Sequence, residues 1–138
     1  MISASGATRR KGVTAADDEG LRALLETGCA ALCIFGKSWD VHVTETLKAT
    51  LDENVAMVRE SVAHLKAAGR TVFFDAEHFF DGYAANPGYA LKTLLAAQEA
   101  GASCLVLCDT NGGSLPDRVA AFIDALRPRL KVRLGIHT

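Results

Sequence analysis

Apolar and polar positions alternate along this chain in blocks, and four apolar blocks of strand length end directly in polar residues. Three of the four follow a helical pattern that ends on a small residue and a glycine. This repetition predicts parallel βα units, and the carboxyl ends of such strands share the edge of the sheet where ligands bind. The strands are predicted over residues 32–35, 72–74, 105–108 and 132–136, and the glycines are Gly28, Gly69 and Gly101.

The segment between the first two of these strands has the pattern of one long amphipathic helix. Over residues 44–68, apolar side chains recur at steps of three and four, which is the helical period. The stripe consists of Leu47, Leu51, Val55, Val58, Val62 and Leu65. The other helices are predicted from acidic or capping residues at their starts, near Asp17-Asp18-Glu19, Asn86-Pro87 and Ser114, with the last one ending at Pro128. Outside these elements, residues 1–5 can form the stub of a strand and residues 8–12 are predicted to be a loop.

The units predict an α/β fold in which parallel strands alternate with helices. The strands are continuous apolar runs, which is typical of sheets with both faces covered. A length of 138 residues suggests one domain, whereas a closed barrel of eight βα units needs about 250 residues. An open five-stranded sheet could be built from these units, but we expect the chain to be a truncated piece of a larger barrel. The alternative from another class is a self-contained flavodoxin-like binding or signalling domain.

Charge and composition exclude several classes of partner. The net charge is −1 and 49% of the residues are hydrophobic, so no electrostatic argument favours nucleic acid or an anionic membrane. No apolar stretch approaches the roughly 20 residues of a membrane span, and the first residues do not resemble a signal peptide. We expect a cytoplasmic protein that binds neither nucleic acid nor a membrane.

The four cysteines form two pairs, each with three residues between its members. Two such residues within one strand lie about 13 Å apart, which is too far for a disulfide. Adjacent strands could bring the two pairs together as a zinc site, but buried free thiols in a reducing cytoplasm fit the pattern better. The cysteines are Cys29, Cys33, Cys104 and Cys108.

Polar residues after the predicted strands are the candidates for chemistry. His137 can bind a metal or act as an acid or base, although an ordinary terminal histidine also fits. Asp75 and Glu77 point to the same side of an extended strand and suit acid–base work or metal binding, or they belong to a solvated acidic loop. The two glycines of residues 109–113 let a ligand approach the backbone, and a plain tight turn explains them equally well.

Two further segments remain ambiguous from the sequence. Trp39, the only tryptophan, can cover a site or pack against the next helix. Arg9, Arg10 and Lys11 can meet an anionic group, but a short basic loop is usually only solvated.

Four motifs in a fixed order carry a resemblance that extends over essentially the whole chain. They are Phe-Gly-Lys-Ser-Trp-Asp-Val-His at residues 35–42, Phe-Asp-Ala-Glu-His-Phe-Phe-Asp-Gly-Tyr at 74–83, Cys-Asp-Thr-Asn-Gly-Gly at 108–113 and Gly-Ile-His-Thr at 135–138. With these motifs the chain resembles the citramalate branch of the 2-isopropylmalate synthase/homocitrate synthase family of metal-dependent TIM barrels. The resemblance implies that residues 1–138 are an internal fragment of the catalytic TIM-barrel domain, about strands three to seven of eight, with no second domain.

The resemblance also implies an activity. Members of this branch are acyltransferases that condense acetyl-CoA with pyruvate to give (R)-citramalate and CoA, in isoleucine and other branched-chain amino-acid biosynthesis. A divalent metal ion (Mg²⁺, Mn²⁺ or Zn²⁺) would act as a Lewis acid on the oxo-acid carbonyl. The alternative within the family is 2-isopropylmalate or homocitrate synthesis. The full-length parent is expected to be a homodimer that acts on small molecules.

By the same resemblance, five residues receive roles. Glu77 matches the active-site glutamate near the condensing atoms, and Thr110 matches the threonine that holds the oxo-acid carboxylate. His42 and Asp75 match positions that line the substrate pocket, and His137 matches the first histidine of a His-x-His metal pair. The family's arginine and metal-binding aspartate of the first strand, and the second histidine of the pair, have no counterpart here, so we expect the fragment alone to be inactive.

Overall fold

Five parallel strands form the centre of the structure, a computed structural model that describes residues 2–138. The strands are β1 (Ser3–Ala7), β2 (Ala31–Lys37), β3 (Thr71–Glu77), β4 (Cys104–Cys108) and β5 (Arg133–His137). The helices are α1 (Glu19–Glu26), α2 (Asp40–Glu45), α3 (Leu51–Ala67), α4 (Phe79–Ala85), α5 (Pro87–Glu99) and α6 (Pro116–Leu126), and a 3-10 turn at Arg127–Arg129 follows α6. The predicted alternation of parallel strands and helices is confirmed.

The strands lie side by side in the order in which they occur along the chain, β1-β2-β3-β4-β5. Every adjacent pair is parallel. Sequential order is that of a barrel of βα units, whereas a flavodoxin-like sheet has the order 2-1-3-4-5. The flavodoxin-like alternative is therefore wrong, and the fold is the partial TIM barrel predicted from the sequence. Within the described residues the strands form an open arc with β1 and β5 at its edges.

Helices cover one face of the arc, and the core lies on that face. Along β3, the side chains of Val72, Phe74 and Ala76 are completely buried, whereas Asp75 and Glu77 are half-buried on the opposite face. In a barrel, that opposite face is covered by side chains of other strands rather than by helices. The prediction that both faces are covered therefore holds only for the helix side of this arc.

The long helix predicted over residues 44–68 is wrong, because the segment forms two helices, α2 and α3. Lys48 between them has a left-handed backbone with a φ of 52°, which an α-helix does not accommodate. Thr50 then caps α3, since its side chain accepts a hydrogen bond from the Glu53 backbone N–H at 3.1 Å. Leu47, in the intervening loop, still packs against the core, and so the apolar spacing continues across the break.

Two of the predicted helix starts are confirmed and one is corrected. Asp18 caps α1 and Asn86 caps α5, each through a side-chain oxygen that accepts backbone N–H bonds. Ser114 does not cap α6, because Leu115 occupies the cap position. Ser114 instead donates its backbone N–H and its hydroxyl to the Asp109 carboxylate, at 2.9 and 3.1 Å. A charged acceptor makes these bonds stronger than bonds between neutral groups.

Helix α4 was not predicted, although it contributes two phenylalanines to the core. Phe79 and Phe80 are completely buried at its start, directly after β3. The helix has only 7 residues, and no side chain caps it. Its sequence therefore carries neither the length nor the capping signal by which helices are recognised.

The first strand and the loop after it differ in how well they were predicted. β1 confirms the strand stub predicted over residues 1–5, of which Met1 lies outside the described residues. The loop is not merely solvated, because Arg9 is only 5% exposed and forms ion pairs with Glu53 at 2.9 Å and Glu60 at 2.6 Å. Arg9 thereby joins the end of β1 to α3.

Among residues 2–138, no helix combines the length and the apolar character needed to cross a bilayer.

Candidate functional site

A cleft of about 350 Å³ opens at the carboxyl ends of the strands. It lies on the face of the arc that the helices leave uncovered. Four of the five site residues predicted from the sequence line it, namely Asp75, Glu77, Thr110 and His137. The other lining residues are Phe35, Cys108, Asp109 and Thr138.

The register of the strands explains why these side chains meet. Lys37 of β2 is paired with Glu77 of β3, and Cys108 of β4 is paired with His137 of β5. Asp75 lies two residues before Glu77 and therefore points to the same side of β3. The site thus depends on strands whose relative positions are fixed by the hydrogen bonds of the sheet.

The Glu77 carboxylate is held by one cation. Lys37 Nζ donates a hydrogen bond to Glu77 Oε2 at 2.7 Å, and the two side chains are 20% and 25% exposed. Partial burial makes the attraction stronger than that of a fully solvated pair. The ion pair therefore fixes the orientation of Glu77 at the cleft. The sequence shows Lys37 only as part of the motif at residues 35–42 and carries no signal for this pairing.

Thr110 connects two loops at the mouth of the cleft. Its Oγ1 accepts a hydrogen bond from the His78 backbone N–H at 2.9 Å. His78 has a left-handed backbone with a φ of 54°, which turns the chain from β3 into α4. A second bond joins the loop after β4 to α4 itself, since Asn111 Nδ2 donates to Asp81 Oδ2 at 2.8 Å. The position of the Thr110 hydroxyl is therefore determined by the turn after β3.

His42, the fifth predicted site residue, is not among the residues that line the cleft. Its ring lies between Trp39 and His78, with centroid separations of 4.7 and 4.2 Å. Burial, then the neighbouring His78 and Lys37, lower the pKa of His42 below its ordinary value. Trp39, which was predicted to cover a site or to pack on a helix, packs on these two imidazole rings.

Asp109 organises the loop after β4, a role that the sequence analysis missed. Its carboxylate is buried and accepts the two bonds from Ser114. Its backbone N–H donates to the His137 carbonyl at 2.8 Å, which ties the loop to β5. The Asp-x-x-Gly spacing could have indicated this turn in the sequence. Gly112 has a φ of 69°, and its backbone N–H donates a hydrogen bond to the Asp109 carbonyl at 2.9 Å.

The four cysteines are free thiols, as predicted. Cys29 precedes β2 instead of beginning it, so only Cys33, Cys104 and Cys108 lie within strands. Cys33 and Cys104 are both in register with Phe73 of the intervening β3. Two strand spacings separate them by about 9.6 Å, beyond the reach of a disulfide.

Two of the strand thiols lie in an acidic environment. Burial, together with a hydrogen bond to Asp75 and the charge of that residue, raises the pKa of Cys33 to about 12. Burial, followed by the charges of Asp75 and Glu77, raises the pKa of Cys108 to about 12. Both thiols are therefore protonated at neutral pH when no metal is bound.

Within residues 2–138, one group of three side chains is arranged so that it could hold a metal ion. It consists of Asp75, Cys108 and His137, whose ligand atoms all lie within 4.8 Å of one another. The cysteine-only zinc site considered from the sequence is not formed by the described residues. A carboxylate, a thiol and an imidazole are donors that divalent ions accept in proteins. The residues at this edge of the sheet therefore fit a metal ion.

The chain is similar in sequence to enzymes of known name. (R)-citramalate synthases of Geobacter sulfurreducens and Streptomyces coelicolor are 50% and 52% identical to it over 137 residues, which are 99% of this chain and 26% of each relative. A probable 2-isopropylmalate synthase of Ignicoccus hospitalis is 30% identical over 114 residues, covering 82% of this chain and 28% of the relative. The chain thus spans about a quarter of the length of the curated relatives that it matches.

Solved structures with the same arrangement of strands and helices include two HMG-CoA lyases. The enzyme of Bacillus subtilis superimposes with a TM-score of 0.77 at 19% identity, over 96% of this chain and 43% of the other. The enzyme of Brucella melitensis gives a TM-score of 0.75 at 17% identity, over 96% of this chain and 46% of the other. At these identities the likeness concerns the fold alone. A family model described as HMGL-like matches residues 3–138, and the chain belongs to the HMGL-like family.

Proposed function

We propose that this chain carries part of the active site of an acyltransferase that joins acetyl-CoA to pyruvate, releasing (R)-citramalate and CoA. The identity of about 50% over 99% of the chain to two (R)-citramalate synthases supports this activity over that of the more distant 2-isopropylmalate synthases. On this proposal, residues 1–138 are a portion of the catalytic barrel. The substrates are small molecules, and the free cysteines are compatible with a cytoplasmic location.

The observation that carries the proposal is the convergence of Glu77, Thr110 and His137 on one cleft. These residues come from the ends of three different strands, β3, β4 and β5. Active sites of βα barrels are built at this edge of the sheet from the ends of several strands. A cleft of about 350 Å³ is large enough for a small oxo acid.

Thr110 is suited to hold the carboxylate of the oxo acid. A hydroxyl has one proton to donate and two lone pairs to accept. In Thr110 one lone pair already accepts the His78 backbone N–H, so the hydroxyl proton is available to a substrate carboxylate in the cleft. The ordered turn at His78 fixes this hydroxyl before the substrate arrives.

Glu77 is the carboxylate that we assign to the reacting atoms. The Lys37 ammonium holds one of its oxygens, so the carboxylate stays oriented while a proton moves at the acetyl methyl group. The HMGL-like family is metal-dependent, and His137 would hold a divalent ion beside Asp75 at the same cleft. When bound, the ion polarises the oxo-acid carbonyl that the acetyl carbon attacks.

A chimaera tests the activity. Residues 2–138 of this chain would replace the matching 137-residue segment of the Geobacter sulfurreducens relative, and CoA release from acetyl-CoA would be measured with pyruvate and with 2-oxoisovalerate. We expect turnover with pyruvate. A folded chimaera without CoA release contradicts the proposal, and a preference for 2-oxoisovalerate supports the 2-isopropylmalate alternative instead. This chain alone is expected to give no turnover.

Variants of the chimaera test the individual residues. Glu77→Gln is expected to lower kcat by about 10²- to 10⁴-fold, the range for a lost acid–base group. Thr110→Val is expected to raise the KM for pyruvate with a smaller effect on the KM for acetyl-CoA. Glu45→Gln is the control for Glu77→Gln, because Glu45 is exposed on α2 and pairs only weakly with Lys48 at 3.5 Å. An equal loss of kcat in Glu77→Gln and in Glu45→Gln would refute the assignment of Glu77 to the reacting atoms.

A further inference from the structure

A completely buried asparagine lies against the end of β2. Asn54 is on α3, and its Nδ2 donates hydrogen bonds to the Lys37 carbonyl at 2.8 Å and to the Tyr89 hydroxyl, on α5, at 2.7 Å. We propose that Asn54 and Tyr89 are positioning residues, which act through Lys37 on the carboxylate of Glu77. This inference rests on the function proposed above, because it takes Glu77 as the group at the reacting atoms.

The amide of Asn54 can face Lys37 in only one orientation. A backbone carbonyl accepts hydrogen bonds and donates none, so the amide nitrogen must point at it. The two N–H bonds of this nitrogen then serve the Lys37 carbonyl and the Tyr89 oxygen. Burial raises the pKa of Tyr89 to about 12, so its hydroxyl stays neutral at physiological pH. Tyr89 thereby keeps the amide of Asn54 from rotating away from Lys37.

The bond to the Lys37 carbonyl bears on the other end of the same residue. Lys37 is the last residue of β2, and by the alternation of the strand its side chain lies on the same side as that of Phe35, which lines the cleft. Its Nζ holds Glu77 Oε2 at 2.7 Å. A bond on the carbonyl fixes the backbone from which this long side chain extends, so it limits how far Nζ can move away from Glu77.

The buried amide is costly to the fold, which argues against a role in stability alone. No group within residues 2–138 donates a hydrogen bond to Asn54 Oδ1, and a half-satisfied buried amide is less favourable than an apolar side chain of the same size. Helices α3 and α5 are also joined at their surface, where Lys92 and Asp52 pair at 2.7 Å. An apolar residue at position 54 would pack between the two helices, but it could not hold the Lys37 carbonyl.

Acetylation of lysines tests the arrangement without any substrate. The chimaera that contains residues 2–138 would be treated with limiting acetic anhydride, and the modification of Lys37 would be measured by mass spectrometry relative to the exposed Lys66. A lysine held in a charge-assisted hydrogen bond is shielded from the reagent, so we expect Lys37 to react several-fold faster in Asn54→Leu than in wild type. An unchanged rate would overturn the proposal. Because neither acetyl-CoA nor pyruvate is present, failure here is distinguishable from failure of the proposed reaction.

Kinetic constants of the same chimaera separate positioning from folding. Asn54→Leu is expected to lower kcat by up to about 100-fold, the loss that a displaced catalytic group can cause, with little change in the KM for pyruvate or acetyl-CoA. Ser61→Ala is the matched control, because Ser61 is also a completely buried polar residue of α3, and its hydroxyl accepts the Arg9 backbone N–H at 2.8 Å. This control should lower stability but leave kcat and the acetylation of Lys37 unchanged. Equal losses of kcat in the two variants would contradict a positioning role.

A double-mutant cycle tests whether Asn54 acts through Lys37. Lys37→Met removes the ammonium and keeps most of the aliphatic chain. In this background Asn54→Leu should cause no further loss of kcat, because no ion pair is left to position. Losses of kcat that multiply would show two independent effects and would refute the proposal.

Tyr89→Phe covers the case in which Asn54→Leu does not fold. This change removes one oxygen atom and keeps the aromatic ring, so the packing of α5 is preserved. We expect kcat to fall and Lys37 to be acetylated faster than in wild type, both by a smaller factor than in a folded Asn54→Leu, because the bond from Asn54 to Lys37 can still form. Wild-type values of both quantities in Tyr89→Phe would overturn the proposal.

Discussion

Replacing Gly82 by alanine is expected to force α4 away from the loop that follows β2. A Cβ atom at Gly82 would lie 2.5 Å from the Ser38 carbonyl oxygen and 2.8 Å from the Trp39 Cα. Ordinary Cβ contacts are 3.4–4 Å. Both neighbours are backbone atoms, so no side-chain rotation relieves the overlap, and the helix must move by roughly 1 Å.

The expected magnitude is the difference between two opposing effects. Overpacking a close contact costs about 1–3 kcal/mol, and this rigid backbone contact places Gly82→Ala towards the upper end. Alanine is preferred over glycine inside a helix by about 1 kcal/mol, which offsets part of that cost. We therefore expect Gly82→Ala to lower the free energy of unfolding by about 1–2 kcal/mol.

Gly88 provides the matched control, because it is also a helical glycine. The nearest atom to a Cβ there is Asn86 Oδ1, at 3.8 Å, so only the helix preference acts. Gly88→Ala should raise the free energy of unfolding by up to about 1 kcal/mol. The two variants make the same chemical change, but they are expected to change the free energy of unfolding in opposite directions.

Urea unfolding followed by far-ultraviolet circular dichroism measures both values, with the m-value as the check on two-state behaviour. The fluorescence of Trp39, the single tryptophan, reports the contact itself and should change only in Gly82→Ala. A Gly82→Ala variant that is as stable as wild type, with an unchanged m-value, would refute the reasoning from the contact distances.

Three further predictions concern the caps and the site. Asp18→Ala removes the buried cap of α1 and should destabilise the chain by about 1–2 kcal/mol in urea unfolding, whereas Asp17→Ala, an exposed change, should stay within about 0.5 kcal/mol; equal losses would contradict the cap. Because the pKa of His42 is lowered in the folded chain, the unfolded chain takes up this proton first as pH falls below about 6.5. The contribution of His42 to stability is therefore full above that pH and decreases below it, and NMR titration should show a lower midpoint for His42 in the folded chain than in urea; coincident midpoints would contradict this. Thr110→Val should accelerate amide hydrogen exchange at His78, whose N–H loses its acceptor, while Thr110→Ser should preserve the protection.

Local periodicity predicted the parallel βα units but left the flavodoxin-like alternative open. The apolar runs, the glycines after the helices and the polar residues at the strand ends are all short-range features, and each unit repeats them. The sequential order β1 to β5 was implied only by the resemblance to a TIM barrel, because a flavodoxin-like sheet uses the same kind of connection in another order. The helix break at Lys48 was not predicted, because the apolar spacing continues through the loop, where Leu47 also packs against the core.

The contacts within the site could not be predicted in the same way. The pairing of Lys37 with Glu77 and the approach of Cys108 to His137 depend on which residues lie opposite each other on neighbouring strands. Register between neighbouring strands depends on how the apolar faces of both strands match, so the sequence of one strand alone does not specify it. For the same reason Cys108 could be predicted as a buried strand cysteine but not as a neighbour of Asp75.

The glycines that end the helices suggest where related enzymes could exchange segments. Gly28, Gly69 and Gly101 have φ values of 71°, 78° and 101°, and each reverses the chain from a helix into the next strand. Because spatial and sequence order coincide, recombination at any of these three breakpoints transfers whole contiguous units and requires no rethreading. Within the open arc of residues 2–138, a hybrid joined at one of these glycines should therefore keep the parental strand interfaces except at the one seam between the two strands that flank the breakpoint.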